Sequence, residues 1–371
     1  MSLGLELKGK IVNSKLKPPA LKQFTNFIPP MKIRFIIFLL GMSTFPLSAQ
    51  NGVVLKQIID KLLQRRENHV DSAKVTGFVI GCFDGDSTWV FPYGRLTKTT
   101  NQAPDRDTYF EIGGVSHVFL ANRLYELVKT KQVDYDATVN QYLPPSLQFS
   151  MGNRFTLLQL ATHTSGLPKL PEDMGLFESD KEQPFEAYTE GSLFEYLKTF
   201  DTTLLTTNTY RYAHLDYLIL EKIMEKNNWL KIEKDTFPNK IYAQGYNMAQ
   251  KSVELGRFNE TFRWTLGRQS NVKQLLKFVQ QQMKIKELQE PLIPTHIGKF
   301  TSMGKAWHVV RENKNTTICL ASGTTAGHSA FVAFVPKTKT GVVILTNSRL
   351  VAGKLGLTVL RILNENWKRK S

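Results

Sequence analysis

The chain has 371 residues, 42% of them hydrophobic and 22% charged, with a formal net charge of +16. That length supports one large domain or two smaller ones, and the balance excludes a disordered polymer. The positive charge is scattered, with neither aromatic interleaving nor a nucleic-acid motif. It speaks against base recognition and for attraction to anionic surfaces such as cell-envelope polymers.

In chain order, the first feature is MKIRFIIFLLGMSTFPLSAQ, which begins at Met31. Lys32 and Arg34 form a basic start, Phe35 to Met42 a short apolar run, and Ser48-Ala49 a small-residue cleavage site. This is the pattern of a secretory signal peptide, and the run is too short to span a membrane. Residues 1–30 then read as an upstream extension before a misplaced start. Residues 1–49 carry seven Lys/Arg and one acidic residue, so +10 remains once they are removed. The expectation is an exported protein, periplasmic or secreted, with no stable membrane span after signal cleavage.

Val54, Ile58, Ile59, Leu62 and Leu63 lie on one stripe at helical period, predicting an amphipathic helix over 53–64. VTGFVIGCF and STWVF flank DGD, a β-hairpin signal turning at Asp84-Gly85. From about 110 to 290 the pattern is mostly helical, most clearly in LFEYLKTF, LDYLILEKIMEK and NVKQLLKFVQQQM. After Ser302 come the apolar runs GKAWHVV, TTICLA, SAFVAFV and GVVILTN, separated by turn signals. An amphipathic helix from Val351 to Trp367 closes the chain. Cys82 and Cys319 each sit in an apolar β-like run and read as buried free thiols. No Cys/His cluster has zinc spacing, so neither a metal nor another cofactor is expected.

This order predicts an α+β fold with a discontinuous domain. Residues 50–105 and 296–371 would build an antiparallel sheet flanked by the terminal helices, and 106–295 would form an inserted all-helical domain. A cleft between the two parts is the default place for a site.

Five stretches follow one another in a telling order: DTYFEIGGVSHVFLANRLYELV, VDYDATVNQYLP, FTLLQLATHTSGLP, RYAHLDYLILEKIMEK and LASGTTAGHSAFVAFVPKTKTGVVILTN. Together they resemble the serine β-lactamase and penicillin-binding (D-Ala-D-Ala peptidase) superfamily, in particular its class C-like branch. The resemblance covers roughly residues 53–367, and THTSGLP is its most specific segment. It implies a chemistry in which a Ser and a Lys three apart share one helical face. A Tyr of the second motif relays a proton, a third-motif Lys or His holds a substrate carboxylate, and backbone N–H groups form an oxyanion hole.

The chain departs from that pattern where the chemistry sits. The nucleophile position falls on Gly114 and the Lys position on His117. Tyr212 is retained, His214 stands where Asn is usual, and the third-motif cation falls on Ala321, followed by Ser322 and Gly323. The stretch between Glu225 and Trp264 is also short for the family.

Ser116 is a poor substitute nucleophile, because residues two apart on a helix point roughly 200° from each other. A hydroxyl bonded to local backbone is its expected state. His163 reads as a structural histidine bonding nearby backbone, and His328 as a residue of a strand-edge turn. The sequence thus points to a degenerate, catalytically inactive member that binds a small peptide or cell-wall-like ligand, with His117, His214, Ser322 and Gly323 as candidate ligand-binding residues. The alternative is a hydrolase of esters or amides rebuilt around Tyr212, His117 and His214.

Overall fold

The computed structural model describes residues 50–64, 75–177, 185–201, 205–230, 240–256, 258–295, 297–298, 300–305, 307–349 and 352–370. The expected extension and signal segment, residues 1–49, lie outside the described residues.

Helix α1 (Gln50–Gln64) leads into strands β1 (Gly77–Asp84) and β2 (Ser87–Gly94), which form the hairpin expected at Asp84-Gly85. A two-residue strand β3 (Phe110–Glu111) precedes a tight turn, Gly113–Val115, and helix α2 (Ser116–Lys129). Helices α3 (Leu157–Ala161), α4 (Glu190–Thr199) and α5 (His214–Lys226) follow. Next come the short strands β4 (Gly245–Tyr246), β5 (Ser252–Val253) and β6 (Gln269–Ser270), then helix α6 (Val272–Gln282). The chain closes with β7 (Ile293–Pro294), β8 (Thr301–Met303), β9 (His308–Asn313), β10 (Thr316–Thr324), β11 (Ser329–Val335), β12 (Thr340–Thr346) and helix α7 (Ala352–Lys370).

The large sheet runs β2-β1-β12-β11-β10-β9-β8-β7, antiparallel throughout. The chain's two ends therefore meet at β1 and β12, paired from Phe78↔Thr346 to Asp84↔Thr340. The short strands β7 and β8 extend the sheet beyond the expected strands. At two and three residues they are too brief to show any period in the sequence.

Every residue of β11 and β12 is buried, which is why SAFVAFV and GVVILT read as unbroken apolar runs. Phe331, Ala333 and Val335 point to one face, where Ile59 of α1 and Val359, Leu360 and Leu363 of α7 cover them. Ala330, Val332 and Phe334 point to the other, joining a core that takes in Leu120 and Leu124 of α2, Leu218 and Leu220 of α5, and Leu275 of α6. Side chains as enclosed as Ile59, Phe331 and Leu360, each 0% exposed, contribute roughly 1.5–3 kcal/mol apiece. One core thus runs from the inner sheet face into the helices between β3 and β7.

Two backbone features fix where the site lies. Gly113 has φ +48, which lets the chain turn sharply from β3 into α2. Gly323 on β10 lies so close beneath that turn that a methyl group on it would stand 1.9 Å from the Ile112 carbonyl oxygen.

Candidate active site

Three elements converge at the turn. The first is α2, which places His117 in its first turn. The second is the N-terminus of α5, built on the 163–170 loop. Thr156 and Gln159 form a reciprocal capping box that starts α3, and the chain then turns at His163, whose φ is +56. The Lys169 carbonyl accepts from the N–H groups of His214 (2.8 Å) and Leu215 (3.2 Å), so the loop supplies the cap that α5 lacks. The third element is β10, which carries Ala321, Ser322 and Gly323.

These elements bring Gly114, Tyr212 and Ser322 together. A methyl group on Gly114 would stand 2.5 Å from the Tyr212 hydroxyl oxygen and 3.1 Å from the Ser322 carbonyl oxygen. Tyr212 therefore fills the space in which any side chain at Gly114 would begin. Its hydroxyl makes no hydrogen bond among the described residues.

His117 is 2% exposed and stacks on the Tyr217 ring, with centroids 4.2 Å apart and an interplanar angle of 6°. Its Nε2 lies 3.3 Å from His214 Nδ1. The Tyr212 ring is 5.6 Å from that of His117 and 5.1 Å from that of His214. Sequence reasoning aimed His117 into an open cleft; it is instead enclosed by aromatic rings. His214 and Tyr212 keep partial exposure.

The cluster is uncharged at neutral pH. Burial, with neighbouring His214 and His163 adding to it, pushes His117 well below the ordinary histidine range. Burial and the nearby Lys169 push His214 down to about 3. Burial alone raises the Tyr212 phenol far above its usual value. Among the described residues, no three His, Cys, Asp or Glu side chains are grouped so as to hold a metal ion.

Behind the cluster lies a layer that sequence reasoning missed. His163 Nδ1 accepts from the Ala213 N–H at 3.3 Å and faces Asp216 Oδ2 at 3.0 Å. Burial drives Asp216 well above the carboxylate range and His163 down to about 3. Ser165 Oγ donates to the other Asp216 oxygen, Oδ1. Tyr210 and His308 Nε2 meet at 2.9 Å alongside. One signal was visible in advance: Asp216 is an acid inside the otherwise apolar run LDYLIL. The expected structural role of His163 stands, with a carboxyl as well as backbone for its partners.

Residues 55–355 match the family model described as Beta-lactamase. The chain belongs to the beta-lactamase family. A beta-lactamase of Pseudomonas fluorescens is 25% identical over an alignment of 346 residues, covering 79% of this chain and 93% of that protein. A beta-lactamase of Providencia stuartii is 25% identical over 284 residues, covering 72% and 70%. Among solved structures, a class C beta-lactamase superposes with a TM-score of 0.70 at 20% identity, covering 85% of this chain and 97% of that one. A beta-lactamase/D-alanine carboxypeptidase of Pseudomonas syringae gives 0.67 at 19% identity, covering 85% and 99%. The fold is that of the class C-like branch, with its antiparallel sheet and helices.

Within this beta-lactamase fold two expectations need correction. Gly323 offers no open rim: it is buried, and a methyl group there would also stand 2.6 Å from the Gly114 nitrogen. Ser116 is buried as expected, yet its hydroxyl finds no hydrogen-bond partner among the described residues. His328 sits in the β10–β11 turn as expected, 1% exposed and bonded to Glu111 and the Ala243 carbonyl. Ala321, 4% exposed, packs in the larger core, and Ser322 beside it is exposed.

Proposed function

We propose that this protein is an exported beta-lactamase relative that binds a small peptide or cell-wall-type ligand in the inherited cleft and does not run the acyl-serine reaction. One observation carries the reading: the Tyr212 hydroxyl occupies the place where a side chain on Gly114 would start. Gly114 brings no nucleophile, and Ser116 is sealed inside. No cation stands at Ala321. Loss of the nucleophile alone lowers turnover by about 10⁶ in a comparable enzyme, after which further losses change little. What the cleft still offers is recognition: the Tyr212 hydroxyl, the partly exposed His214 and the exposed Ser322.

The test uses purified protein and a fluorescent penicillin. No covalent adduct forms, while a peptide ending in D-Ala-D-Ala binds saturably; clear labelling would sink the proposal. Sequencing the mature N-terminus after expression from Met31 checks export, with cleavage after Ala49 expected.

A second reading, a hydrolase of esters or amides, has the close approach of Tyr212, His117 and His214 in its favour. The environment works against it. A phenol raised by burial stays protonated at neutral pH, and imidazoles depressed by burial are weak bases. Turnover of a nitrophenyl ester that disappears in Tyr212→Phe would support this reading; turnover indifferent to that change would count against it.

A further inference from the structure

We propose that a pocket at the far end of β10 from the cleft binds a free medium-chain fatty acid, its apolar chain inward and its carboxylate at the rim. It does not rest on the proposed role of the cleft. Strand β10 runs from Thr316 to Thr324, with Ser322 and Gly323 at the cleft and Thr317 and Cys319 in this pocket. The pocket is open along one side and holds about 1090 Å³. That is the top of the roughly 300–1,000 Å³ range of small-molecule sites, which gives room for an extended ligand.

Strand register explains the floor, because residues paired directly across antiparallel strands share a face. Pro294 pairs with Ser302, Ser302 with Val309, and Val309 with Cys319. One rung across β7 to β10 thus lays these four side chains in a row on the inner sheet face. Val309 and Cys319 belong to the larger core and are 3% and 0% exposed. Burial pushes the Cys319 thiol up to about 12, so the rung carries no charge at neutral pH. The next rung pairs Arg311 with Thr317 and is the more exposed of the two. Beside it the Phe300 carbonyl accepts from the Arg311 N–H at 3.0 Å. Phe300, 62% exposed, and Leu292, 37% exposed, add apolar surface at the mouth.

Charge gathers at the solvent side. Lys286, Arg311 and Lys337 line the pocket, and all three are exposed. None of their side chains has a hydrogen-bond or ion-pair partner among the described residues. Glu290 lines the pocket as well, so three cations against one acid leave the described lining positive. An uncharged floor beneath a cationic rim complements a chain with one anionic end. A compact anion would leave the floor wet, and a neutral chain would forgo the charge-assisted bonds at the rim.

The experiment titrates the full chain by calorimetry with octanoate, nonanoate and decanoate, each below the concentration at which it forms micelles. Saturable binding is expected, with a decanoate Kd on the order of 10 μM and a gain of about fourfold per added methylene. 1-Octanol binds about tenfold more weakly than octanoate. The double variant Arg311→Gln with Lys337→Gln costs decanoate about tenfold and leaves octanol within about twofold. Ser302→Trp fills the floor and abolishes binding. Should Ser302→Trp lose its fold by circular dichroism, the chain-length series and the alcohol decide the matter in the unaltered protein. No saturable binding, affinity independent of chain length, octanol binding as well as octanoate, or full decanoate affinity in the folded double variant would each overturn the proposal. So would attachment to phosphatidylglycerol vesicles without binding of the free acids, as a membrane-docking face would give. Decanoate affinity that falls as protein concentration rises would overturn it too, since a second copy would then be the occupant.

Discussion

Two groups of polar side chains flank the turn at Gly113–Gly114, and they are built differently. On the β3 side, Glu111 meets His328 Nδ1 at 3.3 Å and accepts from the Gly256 N–H. His328 Nε2 in turn donates to the Ala243 carbonyl at 3.0 Å. Burial pushes Glu111 up, yet its bonds to His328, Thr325 and the Gly256 N–H hold it below its usual carboxylate range. On the α2 side, His117, His214 and Tyr212 share one long contact of 3.3 Å and otherwise touch through ring faces and edges. The first group ties β3, the β10–β11 turn and the 243–256 segment together. The second stands where the family's reaction would run and carries no charge. The fold's junction has kept its demanding interactions, and the reaction site has relaxed into packing.

The comparison breaks hardest at Glu111. Glu111→Ala leaves the buried His328 ring and the Gly256 N–H without their carboxylate, two unpaired polar groups at about 1–3 kcal/mol each, read from the shift of the urea midpoint. A loss below about 1 kcal/mol would mean the junction is no more specified than the histidine cluster.

Gly114→Ser comes next. A β-carbon there meets the Tyr212 hydroxyl at 2.5 Å, so overpacking costs about 1–3 kcal/mol. Adding Tyr212→Phe recovers part of that loss. Thermal melts of the two single variants and the double variant decide it, since strictly additive effects would deny the contact.

Acid separates the two groups by window. His163, His214 and His308 are held at about 3, 3 and 4, below the ordinary 6.5. Below that ordinary value the unfolded chain binds more protons than the folded one, so stability falls as pH drops. Each of the three loses about 2 kcal/mol between pH 7 and pH 5, so at roughly 2–4 °C per kcal/mol the Tm is expected to decline by on the order of ten degrees or more over that window. Glu111, depressed from its ordinary 4.5, keeps its contribution through that window and loses it only as pH falls through its lowered value. A flat melting temperature from pH 7 to pH 5 would contradict the neutral histidines.

The smallest effect belongs to His117→Phe. The ring still stacks on Tyr217, and only the contact with His214 is lost, so stability changes by less than about 1 kcal/mol. A larger drop by chemical denaturation would show that the cluster is a structural network after all.

How much of this was legible in sequence differs by region. Both terminal helices, the β1–β2 hairpin and strands β9 to β12 announced themselves, because each repeats its period over enough residues. The strands β7 and β8 did not, being too short. At the site, the replacements at Gly114, His117 and Ala321 were readable from the motif order alone. Their consequence was not, because the separation between the Tyr212 hydroxyl and Gly114 is set by two segments about a hundred positions apart. Asp216, Ser165 and the Glu111–His328 pair were hidden for the same reason, as each partner looks unremarkable in its own stretch.

The sequence by itself determined the beta-lactamase fold and which reactive side chains are missing, since residue identity and local period are properties of the chain. Only the tertiary structure decided that Tyr212 fills the vacated position and that His117 is enclosed instead of open. Burial and distance between remote segments govern those two outcomes, and neither is written in any single stretch of the chain.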